Sequence, residues 1–186
     1  IAAMLTALGI LIPMMMPVKL IIGPASFTLA AHVPVMAAMF FSPLMTAFVA
    51  LGTTLGFMIS IPVPTIWLRA LMHLPVMTVG AYVLKKHPEF VHQKVKIQIF
   101  NFILGIFHAG LETLVVYAFY SLGFANIEQG ALLNFLLLIA LGGLVHSMID
   151  FNLAFGLGNV LSKAFPIDIF DKAKNLVNKK KVKAEI

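Results

Sequence analysis

The segment Val63–Leu84, with the sequence VPTIWLRALMHLPVMTVGAYVL, decides how the chain is interpreted, because a charged residue lies inside a long apolar run. At a rise of about 1.5 Å per residue, a helix of this length crosses a hydrocarbon layer about 30 Å thick. Its charged residue, Arg69, is the single arginine of the sequence. An ionised side chain at such a depth is costly unless it reaches the interface, meets a partner or faces water. Arg69 therefore marks a candidate functional position.

The composition of the whole chain is that of an integral membrane protein. Of its 186 residues, 61% are hydrophobic and 11% are charged, and the mean hydropathy is +1.01. Soluble domains contain about 45–50% apolar residues. The length accommodates roughly six spans with short loops, which leaves no room for a separate soluble domain. The sequence has no cysteine, so a disulfide framework and a thiolate metal site are both excluded.

The basic residues indicate which side of the membrane the loops face. Eleven of the 13 lysine and arginine residues fall in the loop Lys85–Lys96 and the segment Lys163–Lys183. The positive-inside rule places both in the cytoplasm. We expect a membrane domain at 1–162 and a solvated basic tail at 163–186, and no nucleic-acid surface, since the basic residues are not interleaved with stacking aromatics. The chain opens at Ile1 in hydrophobic sequence, so we also expect a lead-in before it.

The hydrophobic pattern predicts an all-α membrane protein, a compact bundle of six transmembrane helices with both termini in the cytoplasm. The predicted spans cover residues 1–16, 25–41, 44–61, 63–84, 97–122 and 131–160. The connection 18–24 is apolar enough to fold back over the bundle. Gly52 and Gly56 form a GxxxG pattern, which favours close contact with another helix.

Three predicted spans each carry two polar residues at i,i+4, which places both on one helix face: Arg69 with His73, His108 with Glu112, and His146 with Asp150. Counting along the helices puts Arg69 about 9 Å and Glu112 about 15 Å below the outer surface. We therefore predict that these two residues are neighbours in an outward-facing cavity. Asp150 is predicted to lie in the inner half, apart from them.

The role of each polar residue stays open at this point. Arg69 and Glu112 form either a structural salt bridge or a site in which the guanidinium binds an anionic ligand through two parallel hydrogen bonds. A structural role is favoured for His32 and for the His146–Asp150 pair, which would serve as a packing or gating hydrogen bond.

Signatures of an enzyme are absent from the sequence. It contains no GxxxxGK[ST] phosphate-binding loop, no HExxH metal motif and no GxSxG serine motif. We expect a protein that is not an enzyme, with no cofactor and no metal. The histidines and acids on several helices leave a zinc or proton-relay site open, as in a stand-alone membrane enzyme or channel.

Three stretches resemble the substrate-binding S component of an energy-coupling factor (ECF) transporter. They are the AxxxA pattern of Ala3 and Ala7, the run Ser26–Pro43 (SFTLAAHVPVMAAMFFSP), and Gly52–Gly56 (GTTLG). The resemblance implies a multi-pass protein of a bacterial cell membrane that binds a vitamin tightly. It also implies that Ala3 and Ala7 pack on a membrane coupling subunit (the T component) driven by two cytoplasmic ATPases. The S component would topple in the membrane to release its vitamin inward.

The resemblance further implies a ligand site made by the first outer connection and the outer halves of spans four to six. Carried onto this sequence, it selects Lys19, Trp67, Arg69, His73, His108, Glu112, Tyr117 and Asn134. A lone arginine in the outer half of the membrane, together with Lys19, favours a carboxylate vitamin, pantothenate slightly ahead of niacin, over neutral pyridoxine or hydroxymethylpyrimidine. Glu112 complicates this choice, because it either binds a hydroxyl or ring nitrogen of the vitamin or neutralises Arg69.

Overall fold

The computed structural model describes residues 1–22, 25–61, 63–124 and 128–184, without the side chains of 19–22, 25–26, 129 and 178–184. In chain order the described elements are α1 (Ala2–Met15), β1 (Lys19–Ile22), β2 (Ala25–Thr28), α2 (Val33–Ala38), α3 (Pro43–Ser60), α4 (Pro64–Leu71), α5 (His73–Lys86), a 3-10 helix (Pro88–His92), α6 (Lys94–Ser121), a 3-10 helix (Gln129–Ala131), α7 (Leu132–Leu161) and α8 (Asp168–Ala184).

Most of the predicted helical architecture is confirmed. In the described part of the chain, four stretches are long and apolar enough to cross a membrane: α3, α4 together with α5, α6, and α7. Helix α1 is apolar but shorter. Large apolar side chains such as Leu44 and Ile59 are exposed on the bundle surface, as expected of a protein surrounded by lipid. The chain is a helical, multi-pass membrane protein.

The predicted continuous helix over residues 25–41 is wrong. Strands β1 and β2 instead form an antiparallel hairpin in which Lys19 pairs with Thr28, and helix begins only at Val33. Pro34 explains the late start, because proline has no backbone N–H and fits best in the first turn of a helix, where no partner for that N–H is needed. The hairpin folds back over α7, where the Phe27 ring packs against Gly142.

The predicted fourth span is interrupted at Met72, where α4 ends and α5 begins. The cause is Pro75, which cannot donate to the carbonyl of Leu71 and whose ring clashes with it. Arg69 and His73, expected on one face of a continuous helix, therefore lie on either side of the break.

The GxxxG pattern packs as predicted. Gly52 lies against the side chain of Thr6, and a β-carbon at Gly56 would lie 2.6 Å from Cγ1 of Ile10. Only glycine allows α3 to approach α1 this closely.

Apolar side chains fill the end of the bundle that carries Lys85, Lys86, Lys94 and Lys96, here called the basic end. We call this packed region the apolar half, and among its fully buried members are Met36, Met39, Phe40, Met77, Leu84, Ile97 and Phe151. The segment predicted to be a tail contributes to it, because Ile167, Ile169, Phe170 and Ala173 at the start of α8 are also buried there. Phe170 lies 5.5 Å from Phe40, measured between ring centroids.

Candidate functional site

A buried ion pair joins α4 to α6. Arg69 Nη2 donates to Oε2 of Glu112 at 3.0 Å, and both side chains are more than nine-tenths buried. The predicted proximity of these two residues is therefore confirmed. Among the described residues, Nε of Arg69 has no hydrogen-bond partner. The guanidinium carbon lies 5.9 Å from the centroid of the Phe27 ring, within the range of a cation–π contact.

Four histidines from four different parts of the chain meet beside this ion pair. His32 precedes α2, and His73, His108 and His146 belong to α5, α6 and α7. The ring of His32 lies 4.5 Å from those of His73 and His146 and 4.8 Å from that of His108, between centroids. Nε2 of His108 lies 3.6 Å from Oε1 of Glu112. We call these residues, with Arg69, Glu112 and Asp150, the polar half of the bundle.

Asp150 fixes the turn between the hairpin and α2. Its two carboxylate oxygens accept hydrogen bonds from the backbone N–H groups of Ala30 (2.9 Å) and His32 (3.0 Å). Ala30 has a φ of 64°, a left-handed conformation that costs an alanine about 1–2 kcal/mol. The carboxylate also lies 3.4 Å from Nδ1 of His32 and 3.6 Å from Nε2 of His146. Asp150 thus offsets a strained backbone and orients two histidines.

The prediction that His146 and Asp150 lie apart from Arg69 and Glu112 is wrong, since His32 links the two groups. The depth estimate failed because α7 has 30 residues and is therefore about 45 Å long, well beyond a hydrocarbon core of about 30 Å. Counting residues from the end of such a helix does not give the depth of a residue in the membrane.

A small cavity of about 40 Å³ lies at the centre of the polar half, with room for a few water molecules. It is lined by Phe27, Thr28, Ala31, His32, Phe57, Ile66, Arg69, Ala70, His73, Glu112 and His146. One wall belongs to the hairpin and its following turn.

Two of the selected site residues lie elsewhere. Tyr117 and Asn134 are exposed and do not line the cavity. Tyr117 follows Glu112 by five positions, which rotates it about 140° around α6, and Asn134 precedes His146 by twelve, which rotates it about 120° around α7. Their proximity to the site in sequence therefore does not bring them to its face.

Of two further selected residues, Trp67 lies near the site, and the side chain of Lys19 lies outside the described part of the chain. Trp67 is half-buried and packs beside the cavity against Ala31, Phe57 and Ala70. Lys19 begins β1, but its side chain lies outside the described residues.

Sequence reasoning missed the contribution of the hairpin, namely Phe27, Thr28 and Ala31. The available signal was Pro34, which disfavours regular helix in the residues just before it and so predicts irregular backbone next to a histidine. Non-helical backbone within a membrane protein is tolerated where it is buried in protein or lines a cavity.

A larger groove of about 540 Å³ lies between α5 and α6, and its character differs. It is lined by Pro75, Val76, Val79, Gly80, Val83, Phe90, Lys96, Ile99, Phe100, Ile103, Leu104, Phe107 and Leu111. Val79, Ile99 and Phe107 in its walls are exposed. Because these walls are apolar apart from Lys96 at the basic end, the groove is a surface for lipid rather than a site for a polar ligand.

Comparisons with known proteins place the chain in a family. No family model and no solved structure matches it. A curated relative, the niacin transporter NiaX of Lactococcus lactis subsp. cremoris (strain MG1363), is 99% identical over 186 residues, which is all of this chain and 84% of the relative. Such a relationship indicates a transporter and not an enzyme. The chain therefore belongs to the vitamin-transporter family of this relative, in agreement with the S-component resemblance of its sequence.

Proposed function

We propose that the chain is the niacin-binding subunit of a vitamin importer and that niacin binds in the polar half of the bundle. The observation that carries this proposal is the buried guanidinium of Arg69, which borders the cavity and keeps an unpaired Nε donor while it is bonded to Glu112. The name of the relative favours niacin over pantothenate, the vitamin that the sequence alone places slightly ahead.

The chemistry of niacin, pyridine-3-carboxylate, matches the groups around the cavity. Its carboxylate suits the donors of Arg69 that Glu112 leaves free, because a guanidinium has five N–H groups in a planar fork. Its ring nitrogen accepts a hydrogen bond from an imidazole N–H, and His73 borders the cavity with two ring nitrogens that have no partner among the described residues. The Phe27 ring supplies an aromatic face.

Glu112 holds Arg69 in place in this scheme. A buried guanidinium without a counter-charge would be strongly destabilising, so the protein needs a partner for it before the vitamin arrives. The ion pair then keeps one donor of Arg69 occupied and leaves the rest of the guanidinium for the ligand. Arg69 thus both links α4 to α6 and binds the ligand.

The hairpin is the segment that moves to admit the ligand. The cavity of about 40 Å³ is smaller than a pyridine ring with its carboxylate, and one wall is the turn held by Asp150. Entry of niacin therefore requires the hairpin to lift from α7, where Phe27 rests on Gly142.

The proposed topology has six crossings with both termini in the cytoplasm. In it, β2, the turn that follows it and α2 together make the second crossing, and the basic end faces the cytoplasm by the positive-inside rule. The polar cavity then opens outward, on the side from which an importer takes its vitamin.

Transport requires partners, which we propose to be a membrane coupling subunit and two cytoplasmic ATPases. Ala3 and Ala7 support a docking surface on α1, because both are exposed while Leu5 and Gly9 between and beyond them face the bundle. Small exposed residues four apart let another helix approach closely in a membrane. The subunit would topple against this partner to release niacin inward.

A ligand panel tests the binding proposal. Purified protein is titrated calorimetrically with niacin, nicotinamide, pantothenate, pyridoxine and hydroxymethylpyrimidine. We expect niacin to bind most tightly and nicotinamide about 100-fold more weakly, since the amide lacks the charge that Arg69 recognises. Lys96→Ala, in the apolar groove, is the control and should bind niacin like the wild type. Equal affinity for niacin and nicotinamide, or preference for a neutral vitamin, would contradict the proposal.

The docking surface is tested by replacing Ala3 and Ala7 together with tryptophan. We expect loss of co-purification with the coupling subunit and unchanged niacin affinity, because the bulky rings block helix approach at a surface remote from the site. Exposed Leu8→Trp on the same helix is the control. Assembly that survives the double substitution would refute the assigned surface.

A further inference from the structure

The histidines of the polar half carry more unsatisfied ring nitrogens than a vitamin of one small ring can use. Within the described residues, both nitrogens of His73 and of His108 are buried without a hydrogen-bond partner. Every neutral imidazole has one donor and one acceptor nitrogen, and buried polar atoms normally find partners. A single atom that several imidazoles can share would satisfy them together.

The donor atoms converge on one point. His32, His73, His108 and Glu112 each offer one ligand atom, and all four atoms lie within 4.8 Å of one another. In a tetrahedral zinc site with bonds of about 2.0–2.1 Å, neighbouring donors are about 3.3–3.5 Å apart. The most widely separated donors of the cluster therefore need to approach by at most about 1.5 Å to reach this geometry.

The surrounding groups are those that commonly support metal ligands. Asp150, held by two backbone N–H groups, lies 3.4 Å from Nδ1 of His32 and so leaves the other nitrogen of that ring for a metal. Arg69 bonds Oε2 of Glu112, which leaves Oε1 for a metal. Carboxylate–histidine–metal arrangements of this kind fix the tautomer and orientation of the ligand.

The charge of the loaded site favours a cation as well, and this step alone rests on the proposed niacin function. With niacin bound, one guanidinium faces three carboxylates, those of Glu112, Asp150 and the vitamin, while neutral histidines contribute no charge. A divalent cation makes the total neutral, as a buried site requires.

We propose that His32, His73, His108 and Glu112 bind one divalent transition-metal ion of the zinc type. Three imidazoles and one carboxylate favour Zn²⁺ or Co²⁺ over Mg²⁺ or Ca²⁺, which prefer oxygen ligands. The ion joins the hairpin turn to α5 and α6, and it positions the carboxylate or ring nitrogen of niacin beside Arg69. This inference revises the expectation of a metal-free protein.

The test titrates purified, chelator-treated protein with ZnCl₂ or CoCl₂ alone, without niacin. We expect one ion per chain and, for Co²⁺, the intense visible absorption of a tetrahedral site. His73→Ala and, separately, Glu112→Gln should weaken binding at least 100-fold. His87→Ala and His92→Ala, which replace exposed histidines before and at the end of the 3-10 helix at the basic end, should bind like the wild type.

Thermal unfolding of His73→Ala and of Glu112→Gln checks that each variant is folded. One folded variant is enough to test the metal site. Absence of stoichiometric binding by the wild type, or equal affinity in folded His73→Ala, would overturn the metal site. Full-affinity niacin binding by metal-free protein would overturn the claim that the ion positions niacin and leave the proposed function standing. Metal binding at these residues without niacin binding would support the site and overturn the proposed function.

Discussion

The apolar and the polar half of this bundle are equally buried but built on opposite principles. Phe151 and Asp150 are neighbours on α7 and both are fully buried, yet the first packs among phenylalanines and the second holds a strained turn. Burial of an apolar ring stabilises the fold, whereas burial of a carboxylate costs free energy that its hydrogen bonds only offset. The apolar half therefore provides stability, and the polar half serves binding.

The largest effect on stability is therefore expected in the apolar half. Phe151→Ala should lower the free energy of unfolding by about 3–5 kcal/mol, because it leaves a cavity among Phe40, Phe100 and Phe155. Niacin affinity of the folded fraction should stay unchanged. Denaturant titration and calorimetry measure the two quantities.

The matched control for this substitution is Phe102→Ala, which removes a half-exposed ring on α6. It should change the free energy of unfolding by about 0.5 kcal/mol or less. A Phe151→Ala protein with normal stability and lost niacin binding would reverse the assignment of the two halves.

The polar half should respond more weakly in stability and more strongly in binding. Gly142→Ala adds a β-carbon 2.8 Å from Cζ of Phe27 and so pushes the hairpin away from α7. We expect niacin affinity to change by about tenfold, with a small loss of thermal stability, since overpacking at a movable segment is relieved by its displacement.

Gly156→Ala on the same helix is the control, because among the described atoms nothing lies within 4 Å of the added carbon. Its niacin affinity should equal that of the wild type. Identical affinities for both glycine variants would show that the hairpin does not control the site.

The smallest effect is expected at Ala30. Ala30→Gly relieves the left-handed backbone but loosens the unfolded chain, so the net gain in stability should be about 0.5 kcal/mol. Hydrogen exchange at the N–H groups of Ala30 and His32 should slow slightly, because both remain bonded to Asp150. A marked loss of stability would mean that the alanine methyl group, and not the backbone, matters there.

Much of the fold could be predicted from the sequence because membrane spans follow from length and hydropathy alone. The i,i+4 spacing predicted that Arg69 and Glu112 are neighbours, and their contact is observed at 3.0 Å. The GxxxG contact of Gly52 and Gly56 with α1 also followed from pattern. These predictions succeed because polar and small residues in an apolar span are placed toward other helices and away from lipid.

The rest depended on interactions between distant residues. The second span looked like a helix by hydropathy, yet Pro34 and the bonds from Asp150, 118 or more positions away, favour a hairpin and turn. The same long-range bonds bring His32 into the cluster and connect His146 to the cavity. Hydropathy carries no information about such partners, so the site could be placed only in part.

Niacin binding by the double variant Arg69→Gln with Glu112→Gln tests the central claim most directly. The two amides replace the ion pair by a neutral hydrogen-bonded pair, so neither charge is left buried alone. If Arg69 recognises the carboxylate of niacin, the variant should unfold near the wild-type temperature and bind niacin about 100-fold more weakly. Wild-type niacin affinity in this folded variant would contradict the account and reduce Arg69 to a structural partner of Glu112.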